Sequence, residues 1–209
     1  MLRFSVSTAT TFSAGQSVKR VTVMNTPNKL TVFRMLITPI FLAVILHESK
    51  YRFFAAAFVF AVGAATDAFD GRLARKRNQI TVVGKLLDPL ADKMLTTAAL
   101  LAFMYLDLCN IWIVMIVLTR EFAVTSVRLV ASSQGVIIPA NIWGKVKTAS
   151  QMTFTVTIML LAGLRDIGIF LSLDLALVSN GLLWITAVLA VVSGVKYLAM
   201  SRTMIDFSK

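Results

Sequence analysis

Six long apolar runs, separated by short connectors, leave this chain little freedom in what it can fold into. They cover roughly residues 30–46, 53–69, 86–106, 111–130, 149–164 and 169–195. Each approaches the ~20 residues that take an α-helix across ~30 Å of hydrocarbon. A helix also satisfies its own backbone hydrogen bonds there. The chain has 209 residues, 57% of them hydrophobic, and a mean hydropathy of +0.80. A water-soluble domain of that length has too little interior to hide so much apolar surface. The pattern predicts an all-α, polytopic membrane protein with six transmembrane helices and one domain. Pro39 is expected to bend the first helix, and Arg120, Glu121 and Arg128 interrupt the fourth run.

The connectors are cationic, and their distribution orients the chain. Of the 21 Lys and Arg residues, all but Lys50, Arg52 and Arg165 fall on one side of a six-span map with both termini inside. Positive-inside bias of that size predicts cytoplasmic termini, in the plasma (inner) membrane of a bacterium. The formal net charge of +11 would otherwise suggest nucleic acid. The basic residues are not interleaved with aromatics along a soluble face, however, so no nucleic-acid partner is expected. They suit membrane lipids with anionic headgroups and phosphorylated substrates. Residues 1–23 contain no acid, several Ser and Thr, and Arg3, Lys19 and Arg20. That stretch is loosely like a transit peptide. The plainer expectation is a disordered extension, or a start at Met24, with the membrane domain covering 24–209.

Chemistry must come from carboxylates and cations. Cys109 is the single cysteine and His47 the single histidine, so disulfides, cysteine metal clusters and histidine-ligated zinc have no material. Four of the ten acids are Asp67, Asp70, Asp88 and Asp92. Spacings of three and four place each pair on one helix face. The first pair ends the second span, the second pair begins the third, and a short connector lets all four converge on the cytoplasmic side. Like charges so close raise one another's pKa, and ionisable groups near a span are costly. Divalent cations relieve both problems. All-oxygen ligation favours two Mg²⁺ or Mn²⁺ ions, and phosphoryl transfer is the chemistry such ions serve. Gly71 and Ala74 leave the helix surface bare beside the acids, and Arg75 offers a planar fork to phosphate. A salt-bridge network of the acids with Arg72, Arg75, Lys85 and Lys93 is the structural alternative. A divalent-cation channel or transporter is a further one, opposed by Arg75 beside the acids and by their place at one membrane side.

The run Asp67-x-x-Asp70-Gly71-x-x-Ala74-Arg75, then Gly84-x-x-x-Asp88-x-x-x-Asp92, resembles the signature of the CDP-alcohol phosphatidyltransferases, with every defining position matched. The resemblance covers nearly everything after Met24. It implies transfer of a phosphatidyl group from CDP-diacylglycerol to an alcohol, with release of CMP. It also implies that Asp67, Asp70 and Asp88 hold one metal, that Asp67, Asp88 and Asp92 hold the other, and that Asp92 is the base on the acceptor hydroxyl. Gly71, Ala74, Arg75 and Thr81 would line the nucleotide site. Asn28 and Thr31 would join them from a short N-terminal interfacial helix. A homodimer is implied in the same way.

The flanking residues narrow the acceptor. Asn25-Thr-Pro27-Asn28 through Arg34 is similar to the N-terminal motif of the phosphatidylglycerophosphate synthase subfamily. So are Thr119-Arg120-Glu121-Phe122 with Arg128, and Gly144-Lys145-Val-Lys147-Thr148. Arg120 and Arg128 are two helical turns apart and share a face. With Lys145 and Lys147 they would suit an acceptor bearing its own phosphate, glycerol 3-phosphate, with Glu121 holding one arginine. The lysines also fit a plain positive-inside role. A phosphatidylinositol-phosphate-type synthase is the alternative within the family.

Overall fold

The computed structural model describes residues 26–77, 82–136, 138–139, 142–169 and 172–202; the side chains of residues 26–32 and 67–92 lie outside what is described. Among the described residues there are six helices and no strand. They are α1 (Thr26–Leu46), α2 (Arg52–Arg77), α3 (Val82–Tyr105), α4 (Ile111–Ser133), α5 (Ile142–Asp166) and α6 (Leu175–Arg202). Every apolar run became one helix. The short interfacial helix expected ahead of the first span is not set apart among the described residues, where Thr26 to Leu46 is one continuous helix through Pro39.

Local chemistry sets the helix ends. Asp107 takes a left-handed φ of 59°, a region that Asp tolerates better than most side chains. Asn110 then caps α4, its side chain accepting from the Trp112 N–H at 3.0 Å. Capping residues of this type satisfy donors that the first helical turn leaves free. The same connector is pinned to α6. The Asn110 N–H donates to Asn180 Oδ1 at 2.8 Å, and the Ser179 hydroxyl donates to the Leu108 carbonyl at 2.7 Å. At the far end of α5, Gly168 adopts a φ of 94°. Asp174 then caps α6 by accepting from the Leu177 N–H at 3.0 Å. The sixth helix therefore starts after Asp174 rather than at residue 169.

α1 packs on α2 and α3, α2 on α5, and both α4 and α5 on α6. The Phe41 and Phe60 rings meet at 5.9 Å and 58° in the core between α1 and α2. α5 reaches α2 through Gly163, where a Cβ would lie 2.8 Å from the Phe54 ring. The core is apolar, but it also takes in several polar side chains, and many large apolar ones lie outside it. Lys147, Gln151, Thr155, Ser179, Thr186 and Ser193 are buried, while Phe58, Leu177, Trp112 and Val195 are exposed. Among the described residues one helix, α6, is long and apolar enough by itself to cross a membrane; Phe33–Leu46, Arg52–Thr66 and Lys93–Tyr105 are shorter apolar segments.

Candidate active site

α4 carries Arg120 and Glu121 in the middle of an apolar helix, and charges in such a place need partners. Glu121 finds three. Its Oε2 accepts from Lys93 Nζ of α3 at 3.1 Å, and its Oε1 accepts from Arg120 Nη1 at 3.3 Å and from Lys147 Nζ of α5. Lys147 is 1% exposed, and its ammonium also donates to Gln151 Oε1. Lys93 donates further to the Glu121 backbone carbonyl at 2.9 Å and to the Thr125 hydroxyl. That hydroxyl in turn donates to the same carbonyl at 2.7 Å.

Arg120 runs from this cluster toward α6. Its Nη2 donates to Ser193 Oγ at 3.0 Å, and Ser193 donates to the Ala190 carbonyl at 3.0 Å. Two glycines make room for the side chain. A Cβ at Gly194 would lie 3.0 Å from Arg120 Cγ, and one at Gly144 would lie 3.6 Å from Arg120 Nη2. Four residues beyond Ser193, the Tyr197 ring lies 5.9 Å from the Arg128 guanidinium carbon, within reach of a cation–π contact.

These side chains wall a pocket of about 520 Å³ between α3, α4, α5 and α6. Among the described residues its charged lining is Lys93, Arg120, Arg128 and Lys145 against the carboxylate of Glu121, with Thr125, Thr148 and Ser193 as hydroxyls. Arg120 Nε and Tyr197 Oη are buried at this wall with no hydrogen-bond partner among the described residues. Among the described residues, an excess of four cations over one acid and two orphaned donors suit a small anion, with arginine forks matching phosphate oxygens.

Arg120, Arg128 and Lys145, expected to act together, do line one pocket. Lys147 is not brought to it, being spent on Glu121 and Gln151. Helical phase is the reason: residues two apart do not share a face. Lys93, Ser193 and Tyr197 went unnoticed as site residues. The spacing of Ser193 and Tyr197 at i, i+4 in α6 is the only signal for those two, whereas Lys93 already figures in the alternative salt-bridge network with the acids.

The four aspartates sit on helical backbone, Asp67 and Asp70 in α2, Asp88 and Asp92 in α3. Their side chains lie outside the described residues. So do those of Asn28, Thr31, Ala74, Arg75 and Thr81, and the surroundings of Gly71. Spacings of three and four put the backbone positions of each pair on one side of their helix. Lys93, directly after Asp92, joins this end of α3 to the cationic pocket. Cys109 lies in the α3–α4 connector and does not line the pocket. Burial pushes its thiol pKa up to about 12, so it supplies no nucleophile.

A family model described as CDP-alcohol phosphatidyltransferase matches residues 24–193. The chain is 38% identical over 188 residues to the CDP-diacylglycerol–glycerol-3-phosphate 3-phosphatidyltransferase of Bacillus subtilis (strain 168), covering 84% of this chain and 94% of that protein. A protein of the same name from Rickettsia typhi is 32% identical over 179 residues, covering 86% of this chain and 98% of that one. Another from Pseudomonas fluorescens is 34% identical over 168 residues, covering 77% and 86%.

Proposed function

Because the chain belongs to the CDP-alcohol phosphatidyltransferase family, we propose that it transfers the phosphatidyl group of CDP-diacylglycerol to glycerol 3-phosphate, giving phosphatidylglycerophosphate and CMP. The observation that supports a phosphate-bearing acceptor is the pocket in which, among the described residues, Lys93, Arg120, Arg128 and Lys145 surround one acid. An acceptor with its own phosphate needs that excess of cations; serine or a neutral alcohol does not. The names of the relatives point to the same pair of substrates.

In this reading the acceptor's phosphate rests on Arg120, Arg128 and Lys145, leaving its hydroxyl directed toward α3. Asp92 takes the hydroxyl proton as the oxygen forms its bond to the lipid-bearing phosphorus. The bond from that phosphorus to CMP then breaks. Asn28, Thr31, Gly71, Ala74, Arg75 and Thr81 hold the cytidine nucleotide. Asp67, Asp70, Asp88 and Asp92 would hold two divalent cations, Mg²⁺ or Mn²⁺, which when bound supply charge neutralisation on the pyrophosphate.

We place all six helices across the bilayer, as the domain 24–209 of a homodimer in a bacterial inner membrane. The helices run from 21 to 28 residues, about 31–42 Å of helix. The buried hydroxyls and the exposed Phe58, Leu177 and Val195 support lipid as the surrounding solvent. The cationic pocket and the aspartates then share the cytoplasmic side.

The test is CMP release from CDP-diacylglycerol in detergent micelles, with a panel of glycerol 3-phosphate, inositol phosphate, serine and glycerol, with and without Mg²⁺ or Mn²⁺. Release that requires glycerol 3-phosphate and a divalent cation, and that falls by about 10²–10⁴ with Asp92→Asn, is the expected result. Release with inositol phosphate alone would move the chain to the other branch of the family. Cation flux through vesicles without CMP release would replace the transferase by a channel.

A further inference from the structure

Among the described residues Glu121 is the one carboxylate lining the pocket, and its bonds join three helices. A lysine ammonium has three hydrogens to donate. Those of Lys93 have three acceptors on α4: Glu121 Oε2 at 3.1 Å, the Glu121 carbonyl at 2.9 Å and the Thr125 hydroxyl. Lys93 is thus a tether, fastening to α4 the residue that directly follows Asp92. The guanidinium of Arg120 is held from two sides, by Glu121 through Nη1 and by Ser193 through Nη2. Lys147, 1% exposed, anchors the same carboxylate to α5.

We propose that Glu121 is a positioning residue for the transfer. One carboxylate aims the Arg120 guanidinium at the acceptor and, through Lys93, sets the α3 turn that carries Asp92. The role rests on glycerol 3-phosphate being the acceptor, as proposed above. It differs in sign from simple charge balance. A carboxylate that only offset the cations would weaken anion binding, and removing it would lower the acceptor KM. A carboxylate that holds the cations in place does the reverse.

The experiment is steady-state kinetics on the full chain in detergent micelles, comparing wild type with Glu121→Gln and Glu121→Asp. Glu121→Gln is expected to raise the KM for glycerol 3-phosphate about ten-fold and to lower kcat. The KM for CDP-diacylglycerol should stay within about two-fold. Glu121→Asp keeps the charge but withdraws it by one methylene, and should raise the acceptor KM by less. An acceptor KM that falls or stays put in Glu121→Gln overturns the proposal. If that variant does not fold, Glu121→Asp decides alone: a raised acceptor KM supports the role, an unchanged one overturns it. Loss of folded protein without a change in KM marks a merely structural residue. A wild-type enzyme that ignores glycerol 3-phosphate refutes the function and this role with it, whereas an active wild type with unmoved variants refutes only the role.

Discussion

Replacing Gly194 with alanine tests whether Arg120 is held by shape as well as by charge. The added Cβ would lie 3.0 Å from Arg120 Cγ and 4.0 Å from its Nε. Carbon atoms rest comfortably at about 3.5–4.0 Å, so the base of the arginine must yield by roughly half an ångström. Its far end is bonded to Ser193 and Glu121 and cannot simply slide. Rotation is what remains, and a side chain turned ~30° off its rotamer costs about 0.5–1.5 kcal/mol. Taken from acceptor binding, that is about a two- to thirteen-fold rise in KM for glycerol 3-phosphate. Alanine is also about 1 kcal/mol better than glycine inside a helix, so the melting temperature should not fall. Varying each substrate in turn, together with a thermal melt in detergent, reads both quantities. An unchanged acceptor KM, or equal rises in the KM of both substrates, would refute the threading of Arg120 past α6.

Lys147→Met should lower the melting temperature, because a buried ion pair is broken. It should leave the acceptor KM within about two-fold, since Glu121 keeps Lys93 and Arg120; a large rise would place Lys147 in the binding wall after all. Gly163→Ala drives a Cβ to 2.8 Å from the Phe54 ring. Overpacking of this kind costs about 1–3 kcal/mol, so a wild-type melting temperature would contradict the close approach of α2 and α5. Cys109 is 5% exposed, and burial raises its thiol pKa. Maleimide should label it only after denaturation, and stoichiometric labelling of the native protein would contradict its burial.

Hydropathy alone located all six helices, because each must bury or expose a face along its whole length. Its errors came where polar chemistry sets the boundary. α5 starts at Ile142 rather than 149 because Lys145 and Lys147 interrupt the apolar pattern without interrupting the helix. α6 starts at Leu175 because Gly168 turns the chain and Asp174 caps the helix, neither of which changes hydropathy enough to show. Within the site, the two-turn spacing of Arg120 and Arg128 was readable, since it is a property of one helix. The three-way grip on Glu121 was not. It joins residues 28 and 26 positions away, and only helix packing decides which lysine reaches it. Lys147 shows the same limit in reverse: membership in a basic motif said nothing about which side of α5 it occupies.

In the proposed reaction Arg120 is the group that receives the acceptor's phosphate. Steady-state CMP release by Arg120→Ala, with each substrate varied in turn, measures this. Loss of a charge-assisted contact worth about 1.5–3 kcal/mol predicts a rise in the KM for glycerol 3-phosphate of about ten- to hundred-fold. The KM for CDP-diacylglycerol should stay within about two-fold. Equal rises in both, or CMP release that is indifferent to glycerol 3-phosphate, would contradict it.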